Sequence, residues 1–118
     1  MRPPPSRIEY VSVAALRRMF EDDRIEERER TGDLQIHILS SHDAAARLGM
    51  PPKTQTQLIA YVDGSGNHVA EAHRYLLPNG RLGASGRPDP KALLRAGVVY
   101  KPWWGSTIGD SSWSSPTS

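Results

Sequence analysis

The sequence predicts a small α+β domain, with an antiparallel sheet of about three to five strands built on a central β-hairpin, an N-terminal helix and two short helices. Three observations lead to this prediction: an apolar stripe at helical spacing near the N-terminus, two strand-like segments around a glycine-rich turn, and short helix signals on either side of that hairpin. A length of 118 residues fits one domain with a single modest core.

Composition excludes several classes of protein. The chain contains no cysteine, which rules out a disulfide framework, a thiolate metal site and a cysteine nucleophile. No apolar run approaches the ~18 residues that a membrane-spanning helix needs, and the N-terminus lacks the apolar core of a secretory signal. We therefore expect a cytoplasmic protein with no membrane partner.

Positive charge is concentrated in the second half of the chain. Residues 67–102 hold six basic residues against two acidic ones, a local charge of +4. Such an excess attracts phosphate-bearing partners, RNA or DNA among them. The basic residues are Arg74, Arg81, Arg87, Lys91, Arg95 and Lys101, and the acidic ones are Glu71 and Asp89.

The N-terminal segment divides into an arm and a helix. Residues 1–7 contain three consecutive prolines, which favour an extended arm. Ser12 is a candidate N-cap, because Val13, Leu16 and Phe20 after it fall on one helical face. The acidic and basic residues that follow predict an exposed helical extension that ends near residues 31 and 32. The domain itself is predicted to span residues 8–104.

The next segment supports two alternatives. Residues 34–40 alternate as a half-buried strand does, and residues 41–49 have the pattern of a short helix that ends at a glycine. Residues 45–59, AARLGMPPKTQTQLI, resemble the helix-turn-helix segments of excisionase and MerR-type regulators, a resemblance that implies a recognition helix opening near Thr54. Without that helix, residues 54–63 form a strand, because TQTQLIAYV has strand-forming residue types.

The predicted hairpin carries the candidate catalytic residues. The turn DGSGN joins residues 54–63 to a second strand at residues 68–77, since glycine supplies the positive φ that tight turns need. Period-2 alternation places Glu71, His73 and Tyr75 on one face of the second strand, with same-side neighbours about 7 Å apart. A carboxylate, an imidazole and a phenol in one row can perform acid/base chemistry.

The loop after the hairpin carries the candidate phosphate-binding residues. Glycines recur at three-residue spacing within residues 80–86, so backbone amides there can approach an anion closely. A short helix is predicted from Asp89, as N-cap, to Gly97, followed by a strand at residues 98–100. The side chains expected to contact phosphate are Arg74, Arg81, Ser85, Arg87 and Lys91.

Three functions follow from these residues. The first is a binding module that contacts nucleic acid or another phosphate-bearing partner through residues 68–101. The second is a metal-independent ribonuclease, similar to small toxins, that uses Glu71 and His73. The third is a structural or interaction subunit that binds a protein partner through the N-terminal arm or through the Ser-rich flexible tail, residues 105–118, which contains Trp113. No metal site and no cofactor is predicted.

Overall fold

The computed structural model describes residues 7–44, 49–84 and 86–103. Six strands form one sheet in the order β1-β6-β5-β4-β3-β2, and two helices follow β1 in the chain. The elements are β1 (Arg7–Val11), α1 (Val13–Asp22), α2 (Ile25–Arg30), β2 (Gln35–Asp43), β3 (Gln55–Val62), β4 (His68–Leu76), β5 (Asp89–Arg95) and β6 (Val98–Pro102). The predicted arm and tail lie almost wholly outside these residues.

The prediction of a small antiparallel sheet with three helices is wrong. The sheet has six strands and is mixed, because β1 pairs in parallel with β6, with Arg7 opposite Val98 and Val11 opposite Pro102. These two strands stand at opposite ends of the chain, and no local pattern reports a pairing over such a distance. The helix pair intervenes between β1 and the antiparallel strands β2 to β6.

The first helix begins where its N-cap was predicted. The Ser12 hydroxyl accepts a hydrogen bond from the Ala15 amide at 3.0 Å, and α1 starts at the next residue. The helix ends at Asp22, and Arg24 adopts a left-handed conformation with φ of 57° before α2 begins at Ile25. The predicted exposed extension is therefore a separate short helix, and its one buried residue, Ile25, packs into the core.

The helix predicted from Asp89 is instead the strand β5. Ala92 and Leu93 are both fully buried although successive strand residues point to opposite faces of a sheet. A strand covered on both faces loses the alternating pattern, so its sequence resembles a buried helix segment. Burial between β4 and β6 thus outweighed the helix-forming residue types of this segment.

The segment with two alternatives forms two strands, β2 and β3, and its described residues 49–54 form a turn and irregular structure between them. β2 continues through Ser41 to Asp43, so the predicted helix does not start at residue 41. β3 begins at Gln55 and pairs along its length with β2 and β4, which excludes a recognition helix there. Residues 45–48, which would hold the first part of the helix-turn-helix resemblance, lie outside the described residues.

One face of the sheet carries the helices and the main core. Leu16, Phe20 and Ile25 from the helices pack against Ile59 and Tyr61 of β3, and the rings of Phe20 and Tyr61 meet edge to face at 6.2 Å. Ala70, Ala72 and Leu93 extend the same core across β4 and β5. The alternate residues of each strand therefore point to the opposite face, called the second face below.

The predicted hairpin is present. β3 and β4 pair antiparallel, with Thr56 opposite Tyr75 and Leu58 opposite His73. Asp63 closes the turn, because its carboxylate accepts hydrogen bonds from the amides of Ser65 and Asn67 at 2.9 and 3.0 Å. Within the sheet β4 lies between β3 and β5, and because Ala72 belongs to the core on the helix face, the next residue, His73, lies on the second face.

Candidate functional site

A groove of about 640 Å³ lies on the second face, between β2 and the start of β5. Strands β3 and β4 supply its floor, and the loop between β4 and β5 supplies one wall. This volume is within the range of small-molecule sites. The residues that line it are Ser40, Leu58, His73, Arg74, Tyr75, Gly83, Ala84, Arg87, Asp89 and Lys91.

His73 lies in the floor of the groove, where its surroundings disfavour the protonated form of its imidazole. Burial lowers the pKa of its imidazole below the ordinary value, and the nearby Lys91 ammonium lowers it further, against a smaller opposing effect of Asp89. Its Nε2 atom is 2.5 Å from the Thr56 hydroxyl. The ring of Tyr75 packs edge to face against the imidazole, with ring centres 4.7 Å apart. The imidazole is thus held in one orientation.

Two charged side chains from β5 stand beside His73. Asp89 pairs with His73 and Pro90 pairs with Ala72, after which the register shifts and Glu71 pairs with Ala92. Lys91 is the extra residue of this β-bulge, and its Nζ lies 3.3 Å from an Asp89 carboxylate oxygen. Bulges change the direction of a side chain at a site, and this one places an ammonium and a carboxylate together at the rim.

The loop residue Arg87 joins the groove to the helices. Its guanidinium lies 3.4 Å from Glu21 and 3.5 Å from Glu26, at the end of α1 and the start of α2. Arg17 of α1 donates a hydrogen bond to the Pro88 carbonyl at 3.0 Å and approaches Asp89 at 3.8 Å. The rim of the groove is therefore held in place by contacts to the helix pair.

The three predicted catalytic residues share a face, but they do not share the groove. His73 and Tyr75 line it, whereas Glu71 does not. Glu71 is 2% exposed, with a carboxylate oxygen 3.7 Å from Nδ1 of His68. A carboxylate that is this deeply buried cannot reach a ligand in the groove, so the predicted acid/base row is divided at Glu71.

The predicted phosphate-binding residues are also divided. Arg87 and Lys91 line the groove. Arg74 also contributes to the lining, but its Nε donates to Gln57 at 2.9 Å, and the Gln57 and Arg74 register pair belongs to the helix side of the hairpin. Arg81 is exposed in the turn after β4 and does not line the groove, and Ser85 lies outside the described residues.

The glycine loop does not present its amides to an anion. The Gly83 amide donates to the Tyr75 carbonyl, and the amides of Gly80 and Gly86 donate to carbonyls of Leu77 and Gly83, all at 2.8 to 2.9 Å. Leu82 also forms a β-bridge with Leu76. The loop therefore turns back beside the end of β4, and the amides of its three glycines are used within the chain.

Sequence analysis missed two residues of the site. Thr56, which contacts His73, lay within the strand predicted at residues 54–63 but was given no role, and Asp89, which lies opposite His73, was interpreted as an N-cap. The Thr56 contact follows from the register of the hairpin, that is, from which residues of the two strands lie opposite each other. The length and type of the turn restrict that register. No local signal identifies the Asp89 contact, because it depends on the pairing of β5 with β4 and on the bulge at Lys91.

The described residues contain no cluster of three or more histidine and acidic side chains able to hold a metal ion. Among the helices in the described part of the chain, none has the length and apolar character needed to cross a membrane.

The fold and the site define a class: an α+β protein with a helix pair on one face of a six-stranded mixed sheet and, on the other face, a groove lined by three cationic and two aromatic side chains among other residues. Comparison with protein-family models, with curated proteins and with solved structures found no match. The proposals below therefore depend on the geometry of the groove.

Proposed function

We propose that this chain is a single-stranded nucleic-acid-binding module whose site is the groove on the second face. The observation that carries the proposal is the combination of two adjacent aromatic rings, His73 and Tyr75, with the cations Arg87 and Lys91 in one concave site. Single strands are bound by stacking bases on aromatic side chains while cations contact the phosphates.

The shape of the site favours a single strand over a duplex. Proteins that read duplex DNA insert a helix or a two-stranded ribbon into a groove of the nucleic acid. Here the cations and rings line a concavity, with Leu58 as an apolar part of the floor. A base that is not paired can enter such a site, and its phosphate then lies toward Lys91 at the rim.

The charges at the rim predict modest affinity. Lys91 is paired with Asp89, and Arg87 is paired with Glu21 and Glu26, so a phosphate competes with carboxylates for both cations. With about two phosphate contacts, the affinity for a single strand should fall with salt with a logarithmic slope of about −1.4.

The test is fluorescence anisotropy with labelled single-stranded RNA, single-stranded DNA and duplex DNA at two salt concentrations. Tyr75→Ala should weaken single-strand binding by about 1 to 3 kcal/mol, the value of one base stacked on an aromatic ring. Lys91→Gln should weaken it and reduce the salt slope by about 0.7. Arg81→Gln is the matched control, because Arg81 is a cation of the same segment outside the groove.

Two results would contradict the proposal. One is the absence of single-strand binding at low salt, and the other is a loss of affinity in Arg81→Gln as large as the loss in Lys91→Gln. Far-UV circular dichroism of each variant establishes that the fold is retained.

A second candidate, metal-independent RNA cleavage, is favoured by one observation: the imidazole of His73, whose pKa is lowered by burial and by Lys91, lies opposite the carboxylate of Asp89 in the same groove. In this reaction Nδ1 of His73 accepts the 2′-hydroxyl proton while Nε2 keeps its hydrogen toward the Thr56 hydroxyl, the 2′-oxygen bonds to phosphorus, and the bond to the 5′-oxygen breaks. The Tyr75 hydroxyl donates a proton to that leaving oxygen, while Lys91 stabilises the charged phosphorane. Asp89 takes the place that sequence analysis assigned to Glu71.

The variant Asp89→Asn separates the two candidates. Removal of the carboxylate that competes for Lys91 should raise affinity for single-stranded RNA under either candidate. Under the ribonuclease candidate, Asp89→Asn also lowers the cleavage rate, because the Asp89 carboxylate raises the pKa of His73 and its removal makes the imidazole a weaker base. His73→Gln lowers the rate because it removes the base itself. If the parent protein leaves single-stranded RNA intact during prolonged incubation, only the binding function stands.

A further inference from the structure

β2 is an edge strand whose outer side has no strand partner among the described residues. It pairs with β3 alone and is the last strand in the order of the sheet. Seven of its nine residues are exposed, and the other two, Ile36 and Ser40, are partly buried. Alternate N–H and C=O groups of such a strand point outward and can bind another strand.

The first half of β2 is self-complementary. Residues 35–39 read Gln-Ile-His-Ile-Leu, a pattern that is nearly palindromic about His37. Ile36 packs against the core on the helix side of the sheet, and Ile38 lies beside it on the same side with 54% exposure. In a two-fold contact, each pair of residues occurs twice, with the roles of the two copies exchanged. An antiparallel pairing about His37 therefore places Ile36 of each copy opposite Ile38 of the other.

A β-bulge limits where this pairing can occur. The register between β2 and β3 shifts between Ile38 and Ser40, which makes Leu39 the extra residue. A bulge bends an edge strand and prevents regular pairing beyond it. Residues 40–43 are therefore excluded from a regular ladder, and only the palindromic half remains for a partner.

We propose that two copies of this chain pair through Gln35–Leu39 of β2, antiparallel about a two-fold axis at His37, to form a continuous twelve-stranded sheet. A second copy is favoured over an unrelated strand because the pattern of side chains matches itself. Ile38 of each copy, which pairs with Ile59 within its own chain, gains Ile36 of the other copy as a further apolar neighbour. The contact is short, so we expect a dissociation constant in the micromolar range.

The proposed dimer places both grooves on the same face. A two-fold axis perpendicular to the sheet keeps the helices of both copies on one side and the second faces on the other. At about 4.8 Å per strand, the two β4 strands lie about 24 Å apart across the sheet. A single nucleic-acid strand can therefore extend from one groove to the other, although the dimer itself does not depend on nucleic-acid binding.

Disulfide trapping tests the register directly. The chain has no cysteine, so His37→Cys introduces one thiol at the proposed axis. Directly opposed residues of an antiparallel pair have Cα atoms about 4.5 to 5.5 Å apart, within the range that a disulfide spans. His42→Cys is the matched control, since it also replaces an exposed histidine of β2 but lies beyond the bulge. We expect His37→Cys to form the covalent dimer ~10 times faster or more.

Sedimentation equilibrium over a range of protein concentrations tests the association without cross-linking. Ile38→Lys should raise the dimer dissociation constant ~10-fold or more, because an ammonium group would lie opposite Ile36. Ile8→Lys makes the same change on the opposite edge strand, where Ile8 is 42% exposed, and should leave the constant unchanged. A monomer at every concentration, equal cross-linking rates for the two cysteine variants, or equal effects of the two lysine variants would overturn the proposal.

Discussion

At the scale of single residues, His73 shows how position in a sheet determines chemistry. It lies on the central strand β4, where burial and Lys91 lower the pKa of its imidazole and Asp89 partly opposes them. The Thr56 hydroxyl holds Nε2, and the Tyr75 ring supports the imidazole from the side. The same histidine on an edge strand would be more solvated, and its positively charged form would be less disfavoured.

The lowered pKa of His73 predicts a stability that falls on acidification. In the unfolded chain His73 takes up a proton near its ordinary pKa of 6.5, whereas in the folded chain it does so only at lower pH. Between these two values the unfolded state binds more protons, so the free energy of unfolding decreases as pH falls.

Urea unfolding at about pH 7.5 and about pH 5.5 measures this effect, because the two values lie on either side of the ordinary pKa. His73→Gln should lose less stability between them than the parent protein does. His42→Gln is the control, since His42 is an exposed residue of β2. An equal loss in His73→Gln and the parent protein would contradict the assignment.

At the scale of elements, β5 and α1 together build the rim of the groove. β5 contributes Asp89 and Lys91 through its bulge, and Arg17 of α1 holds the start of β5 through Pro88. At its other end, Arg95 of β5 binds both carboxylate oxygens of Asp23, at 2.8 and 3.3 Å. A displacement of α1 is therefore expected to disturb the groove even though the helix packs on the opposite face.

Loss of the N-cap of α1 should destabilise the protein. Ser12→Ala removes the acceptor of the Ala15 amide and should lower the free energy of unfolding by about 1 kcal/mol. Ser12→Asp restores an acceptor and should remain within a few tenths of the parent value. Chemical denaturation followed by circular dichroism measures both changes, and equal stability of Ser12→Ala and the parent protein would show that the cap contributes nothing.

At the scale of the whole molecule, the sheet and the helices share one core. Leu93 is fully buried at the centre of the sheet, opposite Ala70 of β4 and Tyr100 of β6, in the same cluster as Leu16 and Phe20. A single core of this kind predicts that sheet and helices unfold together.

Truncation of Leu93 tests this cooperativity. Leu93→Ala should cost about 2 to 5 kcal/mol, since it removes buried contacts and leaves a cavity. Urea transitions followed by tryptophan fluorescence and by far-UV circular dichroism should coincide and keep the parent slope, because the same surface is exposed on unfolding. Transitions that separate would indicate that the sheet and the helices are independent units.

Sequence analysis selected some of the residues that line the groove and missed others, and the reason is the range over which each signal acts. His73 and Tyr75 were placed on one face by period-2 alternation, which is a local property of a strand. Arg87 and Lys91 were selected by charge alone, and both line the groove. Glu71 was selected by the same alternation, but its burial depends on what covers the second face, and alternation carries no information about that.

The chain by itself determined the features that depend on neighbouring residues: the cap at Ser12, the turn at Asp63 and the two strands of the central hairpin. Each rests on side-chain and backbone preferences within a few residues. Tertiary structure decided the rest. The pairing of β1 with β6, the strand conformation of β5 and the register that brings Asp89 to His73 all depend on contacts between distant segments. These features are stabilised by burial in the assembled sheet. A short stretch of sequence does not show which distant segments will cover it.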